Sequence, residues 1–171
     1  EAERAAVDHH LQELRVVLLK SLVSDQLAFI HIARRWFTAA DFNMILERRI
    51  GTGKIGGKSA GLLLGYKILQ NTASEIFEKI SLPSSYFIGA DVFYDFMSGN
   101  HLEFLNQKYK TAEQIREEYP KIQEKYSAAR FPEEIADQLR EILRDVGKTP
   151  LIVRSSSLLE DNFGMSFAGK Y

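Results

Sequence analysis

Cysteine is absent from the sequence, which excludes disulfides and thiolate metal sites and fits a reducing compartment. An excess of charge of either sign is also lacking: 22 Lys and Arg stand against 23 Asp and Glu, a formal net charge of -1. Such a chain has no long-range field to gather nucleic acid or an anionic membrane, so neither is an expected partner, and any anion must be held by a local pocket. No apolar run approaches the roughly 20 residues of a spanning helix, and the amino terminus lacks a basic patch leading into an apolar core and cleavage site. Membrane and secreted classes fall, and the expected location is the cytoplasm. Internal repeats, low-complexity tracts and linkers are missing too.

What is present is an ordinary soluble composition, 45% hydrophobic and 26% charged over 171 residues, enough chain to bury about 70% of its unfolded surface in one domain. The chain opens on Glu1 rather than Met and closes on Tyr171 where no helix or strand has finished. The expectation is that both ends are cut.

Apolar residues recur every three or four positions from Leu11 through Leu14, Val17, Leu18 and Leu22, the stripe of an amphipathic helix. A break near Ser24 precedes further helical character through Leu27, Ile30 and Trp36, and Thr38 with Asp41 reads as a capping box for a helix through Phe42, Ile45 and Leu46. Trp36 and Phe37 are expected in the core. Residues 1–49 are therefore a helical segment. Further on, Pro83 and the run Tyr86, Phe87, Ile88 predict a brief buried strand, followed by a helix capped by Asp91 and stopping at Gly99 and Asn100. Thr111 with Gln114 is a second capping box, opening a charged, exposed helix. Pro132, Glu133 and Glu134 start another, with its apolar face at Ile135, Leu139, Ile142, Leu143 and Val146 and its end at Gly147. Leu151, Ile152 and Val153 predict a short strand that delivers Arg154 and three serines to its end.

Two segments carry candidate chemistry. Gly51, Gly53, Gly56, Gly57 and Gly61 interrupt regular structure around Lys54, Lys58 and Ser59, just before a helix through Leu62, Leu63, Tyr66, Ile68 and Leu69. The string GTGKIGGKS is not a Walker A motif, because that motif needs Gly where Thr52 stands. Glycines can still bring backbone N–H groups against a phosphate, the helix adds partial positive charge at its amino end, and Lys58 supplies a cation. Taken alone, the loop is equally well read as a surface turn. The second segment, VRSSSLLED, sets Arg154 beside Ser155, Ser156 and Ser157, with Glu160 and Asp161 close behind. A planar cation and hydroxyls suit a polyphosphate. The competing reading is an ion pair from Arg154 to Glu160 or Asp161, with the serines as turn residues. Gly164 to Gly169 form a third, small-residue loop.

Other residues have plain readings. His9 and His10 are adjacent, point to different helix faces and are read as an exposed helix terminus rather than a chelating pair. His31 and His101 are unremarkable. The pairs Arg34 with Arg35 and Arg48 with Arg49 are read as solvated helix ends, a partner surface being the alternative.

The strings IGGKSAGL, LPSSYFIGADVFYDF and LIVRSSSLLEDNFGMSFAGKY, in this order and spacing, resemble the ATP-binding domain shared by pyruvate phosphate dikinase, phosphoenolpyruvate synthase and related dikinases. The resemblance covers about residues 50–171. Departures are Ser59 where the family often has Gly, Leu158 and Leu159 where smaller residues are common, and Lys170 where Gln often follows. The resemblance implies an ATP-grasp fold in which Lys58 and Arg154 contact ATP phosphates beside Gly56, Gly57 and Ser155. The loop carrying Ser166, Ala168 and Gly169 would fold over them, and Lys170 is a further candidate ligand. Mg²⁺ is implied by the polyphosphate chemistry, with its ligands unassigned. In that family the purine contacts and acidic metal ligands lie largely in a later subdomain, and the carrier histidine and pyruvate site in further domains.

The expectation is thus a helix-rich α+β chain. Residues 50–171 form the first part of an ATP-grasp-like domain, and residues 1–49 are an extra helical segment able to self-associate. Its function would be to hold ATP for a dikinase-type phosphotransferase, with pyruvate or phosphoenolpyruvate engaged only through missing domains and the fragment inactive by itself. The alternative is a non-catalytic nucleotide-binding or regulatory module of the same fold.

Overall fold

The computed structural model describes residues 2–72, 74–105, 109–157, 161–162 and 165–166. The chain divides into two compact units, Glu1–Ala90 with Pro150–Tyr171, and Asp91–Thr149. The architecture is helix-rich α+β, with two small two-stranded sheets among the described residues. No helix among the described residues is long and apolar enough to cross a membrane.

In the first unit the amphipathic stripe forms α1 (Ala2–Leu18), which passes into a π-helical turn at Leu19–Val23. Leu19, Leu22 and Val23 are buried, and the Ser24 N–H closes the turn onto the Leu19 carbonyl at 2.9 Å. His9 and His10 sit inside α1 rather than at its end, both within reach of Glu13 at 3.8 and 3.6 Å, because the helix already begins at Ala2. After the expected break comes α2 (Leu27–Ala33). Trp36 lies beyond its end in a turn, half-buried, while Phe37 is buried in the core. Helix α3 (Ala39–Arg48) opens as the capping box predicts, the Asp41 carboxylate accepting from the Thr38 N–H and hydroxyl, both at 2.7 Å. Asp41 also bridges to Lys67 at 3.0 Å, tying α3 to the next long helix, α4 (Gly57–Thr72).

Strand β1 (Arg49–Ile50) pairs in parallel with β2 (Phe87–Ile88), Arg49 opposite Phe87 and Ile50 opposite Ile88. Parallel neighbours need a crossover, supplied here by α4 and the short α5 (Ser74–Phe77). The glycine-rich loop is thereby placed between a strand and a helix. One core joins the two ends of this unit: Leu19, Val23, Phe37 and Ile45 from the helical segment pack with Ile55, Ala60, Leu63 and Phe87. Burying each large side chain contributes about 1.5–3 kcal/mol, so the amino-terminal helices are structural parts of this unit.

Two expectations here are corrected. Helix α4 starts at Gly57, five residues before the predicted Leu62, since glycine tolerates helical backbone where tertiary bonds hold it. The predicted strand at Leu151–Val153 does not form: it pairs with no strand among the described residues, and Ile152 and Val153 are 87% and 89% exposed. β-branched residues favour a strand only when a neighbouring ladder takes their backbone groups. The described part of the carboxyl-terminal stretch is an antiparallel pair, β3 (Asp161–Asn162) with β4 (Met165–Ser166).

The second unit contains most of α6 (Ala90–Gly99), with α7 (Ala112–Ala128) and α8 (Glu133–Val146). Asp91 lies within the first turn of α6 rather than capping it. The Asn100 amide donates to the carbonyls of Phe96 and Arg130, at 2.7 and 2.8 Å. The Phe96 ring packs on Phe131, centroids 4.9 Å apart. The Thr111 box and the exposed character of α7 match the sequence, and Gly147 ends α8 with φ 63°.

Candidate functional site

The loop between β1 and α4 is fixed from both sides. The Arg49 guanidinium donates to the carbonyls of Thr52 and Gly53, at 2.8 and 3.0 Å, so this arginine is half-buried and braces the loop instead of ending a helix in solvent. The Ile55 N–H donates to the Leu22 carbonyl at 3.1 Å, and the Lys54 carbonyl accepts from the Ala90 N–H at 3.0 Å. Lys54 also pairs with Asp25 at 3.5 Å. Gly51 and Gly56 take φ of 78° and 83°, the left-handed region that side chains resist.

At the start of α4 the loop meets the serine segment, 97 positions away for the pair Lys58 and Ser155. Lys58 Nζ donates to Ser155 Oγ at 3.2 Å. The Gly57 N–H donates to the Ser157 carbonyl at 3.1 Å, and the Ser59 N–H to Ser156 Oγ at 3.2 Å. Ser156 Oγ donates to the Ile55 carbonyl at 3.1 Å. A hydroxyl has one proton, so in the 3.2 Å contact between Ser59 Oγ and Ser156 Oγ it is Ser59 that donates. Ser156 thus acts as a helix cap supplied from a remote segment, satisfying an amide that the first turn of a helix leaves unpaired. The approach is close enough that a Cβ on Gly56 would lie 1.6 Å from the Ser156 carbonyl oxygen.

Beside this junction lies a cleft of about 350 Å³, within the roughly 300–1,000 Å³ typical of small-molecule sites. Helix α4 contributes Gly57, Lys58, Gly61 and Leu62, and the serine segment contributes Arg154. A third wall comes from Ser24, Gln26 and Phe29, directly after the π-helical turn. Among the described residues no acidic side chain lines the cleft. The first turn of α4 carries no carboxylate, whereas α3, α6, α7 and α8 each carry at least one. With Lys58 as its second residue, α4 begins on a cation rather than on the carboxylate that helix dipoles favour.

Of the residues singled out in the sequence, Gly56, Gly57, Lys58, Arg154 and Ser155 are brought together here. Among the described residues no ion pair engages Arg154. Its alternative partner Glu160 lies outside them, and Asp161 is described only by its place in β3. Ser166 is placed by its backbone in β4, while Ala168, Gly169 and Lys170 fall outside the described residues. Sequence reasoning missed the Ser59–Ser156 pair, the Arg49 brace and the wall at Ser24–Phe29. Only Arg49 left a signal, a basic residue next to a glycine loop. Ser59, a departure from the resemblance, is accounted for by its bonds to Ser156. Among the described residues no group of three His, Asp or Glu side chains is placed to hold a metal ion.

The profile of the family described as pyruvate phosphate dikinase, AMP/ATP-binding domain, matches residues 52–171. Comparison with curated proteins and with solved structures returned no match.

Proposed function

Because this chain belongs to the pyruvate phosphate dikinase AMP/ATP-binding domain family, we propose that its cleft holds the phosphates of ATP for a dikinase-type phosphotransferase. The observation that carries this reading is the convergence of Lys58 and Arg154, from segments far apart in the chain, on one cleft at the start of a helix without a carboxylate. Two cations, with no acidic side chain among the described residues lining the cleft, offset polyphosphate charge, and the guanidinium can take two phosphate oxygens at once. Gly57 lines the cleft without side-chain bulk, Gly56 leaves room for the Ser156 backbone that closes the junction, and Ser155 orients Lys58. Ser166, Ala168, Gly169 and Lys170 would cover the phosphates from the remaining side. Phosphoryl transfer depends chiefly on positioning and on charge offset, and these residues supply both on the phosphate side.

Mg²⁺ would enter on the nucleotide's own oxygens, as it commonly does with few protein ligands. In this reading residues 50–171 are the first part of an ATP-grasp-like domain, preceded by the helical segment 1–49. The acceptor, pyruvate or another, is engaged by other parts of the enzyme, and the protein works in the cytoplasm. Exposed Val7, Leu11, Leu14 and Val17 on α1 are where self-association would occur. Calorimetric titration of the chain with ATP tests the reading: saturable binding that Lys58→Ala weakens is expected, and absence of binding by the unaltered chain refutes it.

A further inference from the structure

We propose that the solvent-facing stripe of α1 pairs with the same stripe of a second copy of this chain, the two helices running antiparallel and joined by reciprocal ion pairs between Asp8 and Arg15. The proposal rests on the self-association reading above and gives it a geometry. It is independent of the phosphate site, because the cleft is lined by other residues.

From Val7 to Leu14 every residue of α1 is exposed, although three of them are large and apolar. Val7, Leu11 and Leu14 are 55%, 47% and 45% exposed, and they follow one another at spacings of four and three, with Leu18 four positions further on. That is the seam of a heptad repeat, Val7 and Leu14 at d and Leu11 and Leu18 at a. Val16, which packs against the core, lies nearly opposite this row at roughly 100° per residue. The row therefore faces away from the core, and only Leu18, at its end, reaches it. Helices draw most of their stability from burying an apolar face, and a narrow seam about three turns long is the shape another helix covers.

The residues beside the seam select the partner and its direction. A second copy must meet this face with the same face, so each contact has to be reciprocal. Antiparallel pairing satisfies that: Leu11 of each copy meets Leu14 of the other, and Val7 meets Leu18, giving four apolar layers from one seam. Antiparallel helices set e positions against e positions and g against g, whereas parallel helices set g against e. Asp8 and Arg15 are both e residues. Between the outer and central layers the Asp8 carboxylate thus stands opposite the Arg15 guanidinium of the other copy, and the two-fold axis repeats the pair. Within the chain, among the described residues, no ion pair engages either side chain. On the other flank His10 meets Val17, with no like charges in contact. A parallel pair would set Arg15 against His10 and forgo both ion pairs. The seam is small beside the roughly 20–30 residues a side of a standard interface, so a dissociation constant on the order of tens of micromolar is expected.

The test is sedimentation equilibrium of the whole chain from about 1 to 300 μM, where a weak dimer shows its concentration dependence, beside melting curves. The variants are the pair Leu11→Gln with Leu14→Gln, the single Asp8→Arg, and the exchange Asp8→Arg with Arg15→Asp. Leu11, Leu14 and Asp8 are exposed and Arg15 is half-buried, so the melting temperature measured at low concentration should hold. The unaltered chain should dimerise, the glutamine pair should abolish dimers, Asp8→Arg should weaken them about tenfold, and the exchange should restore them. A chain that stays monomeric throughout overturns the proposal and leaves the stripe to a different partner. Dimers indifferent to the glutamine pair also overturn it, since they form on another face. Dimers lost with the glutamine pair but no stronger in the exchange than in Asp8→Arg overturn the antiparallel arrangement and leave self-association through α1 standing.

Discussion

The glycine loop and the serine segment reach the same cleft under opposite conditions. Residues 49–62 are held by the Arg49 brace, by backbone bonds to Leu22 and Ala90, and by Ile55, Ala60 and Leu63 in the core. Residues 151–155 are exposed, pair with no strand among the described residues, and are bonded to the loop at their serine end. One cation therefore stands on a packed scaffold, the other on a segment bonded to that scaffold at Ser155–Ser157. A site of this kind depends less on the strength of either wall than on the few bonds that join them.

The sharpest way to break this comparison is Gly56→Ala. The new Cβ meets the Ser156 carbonyl at 1.6 Å and the backbone is at φ 83°, so the segments must part. With backbone strain of about 1–3 kcal/mol and junction bonds of about 1 kcal/mol each, a loss on the order of 3 kcal/mol is expected in chemical denaturation, with ATP binding abolished. A variant as stable as the parent would show that the junction is not tight.

Ser156→Ala cuts less deeply. It removes the hydroxyl that serves the Ile55 carbonyl and the Ser59 amide and hydroxyl, at a cost of about 1–2 kcal/mol. Hydrogen exchange should quicken in the first turn of α4 and not at its far end. Uniform change along the helix would assign Ser156 no capping role.

The smallest effect belongs to Gly61→Ala, which sharpens the contrast with Gly56. Gly61 lines the cleft, and a Cβ there meets nothing within 4 Å. Replacing a helical glycine should raise stability by about 0.5–1 kcal/mol while reducing ATP affinity by less than about tenfold, because the methyl enters the space of the ligand. Lower stability would mean that the cleft floor is already filled.

The same contrast explains what was legible in the sequence. Caps and stripes are local, and so Thr38 with Asp41, Thr111 with Gln114, and the end of α8 at Gly147 were readable from residues within one turn. Lys58 and Arg154 were readable as a pair through the family motifs around them. Leu151–Val153 were misread because a strand is a property of two segments, and composition describes one. The early start of α4 and the Ser59–Ser156 bonds escaped for a related reason: both depend on a contact across 97 positions, which periodicity cannot reveal. The Ser24–Phe29 wall is likewise visible only once α1 and its π-helical turn are placed against the glycine loop.

The central claim, that Lys58 and Arg154 grip one polyphosphate, is tested most directly by a double-mutant cycle read by ATP calorimetry with a melting curve for each protein. Lys58→Ala and Arg154→Ala should each weaken ATP about tenfold to a hundredfold, from a charged hydrogen bond of about 1.5–3 kcal/mol. The double variant should depart from additivity, as two groups on one ligand do. Arg154→Ala should leave the melting temperature unchanged, since among the described residues no ion pair engages it. Unchanged affinity in both single variants, or an Arg154→Ala protein that melts earlier with its ATP affinity intact, would contradict the account.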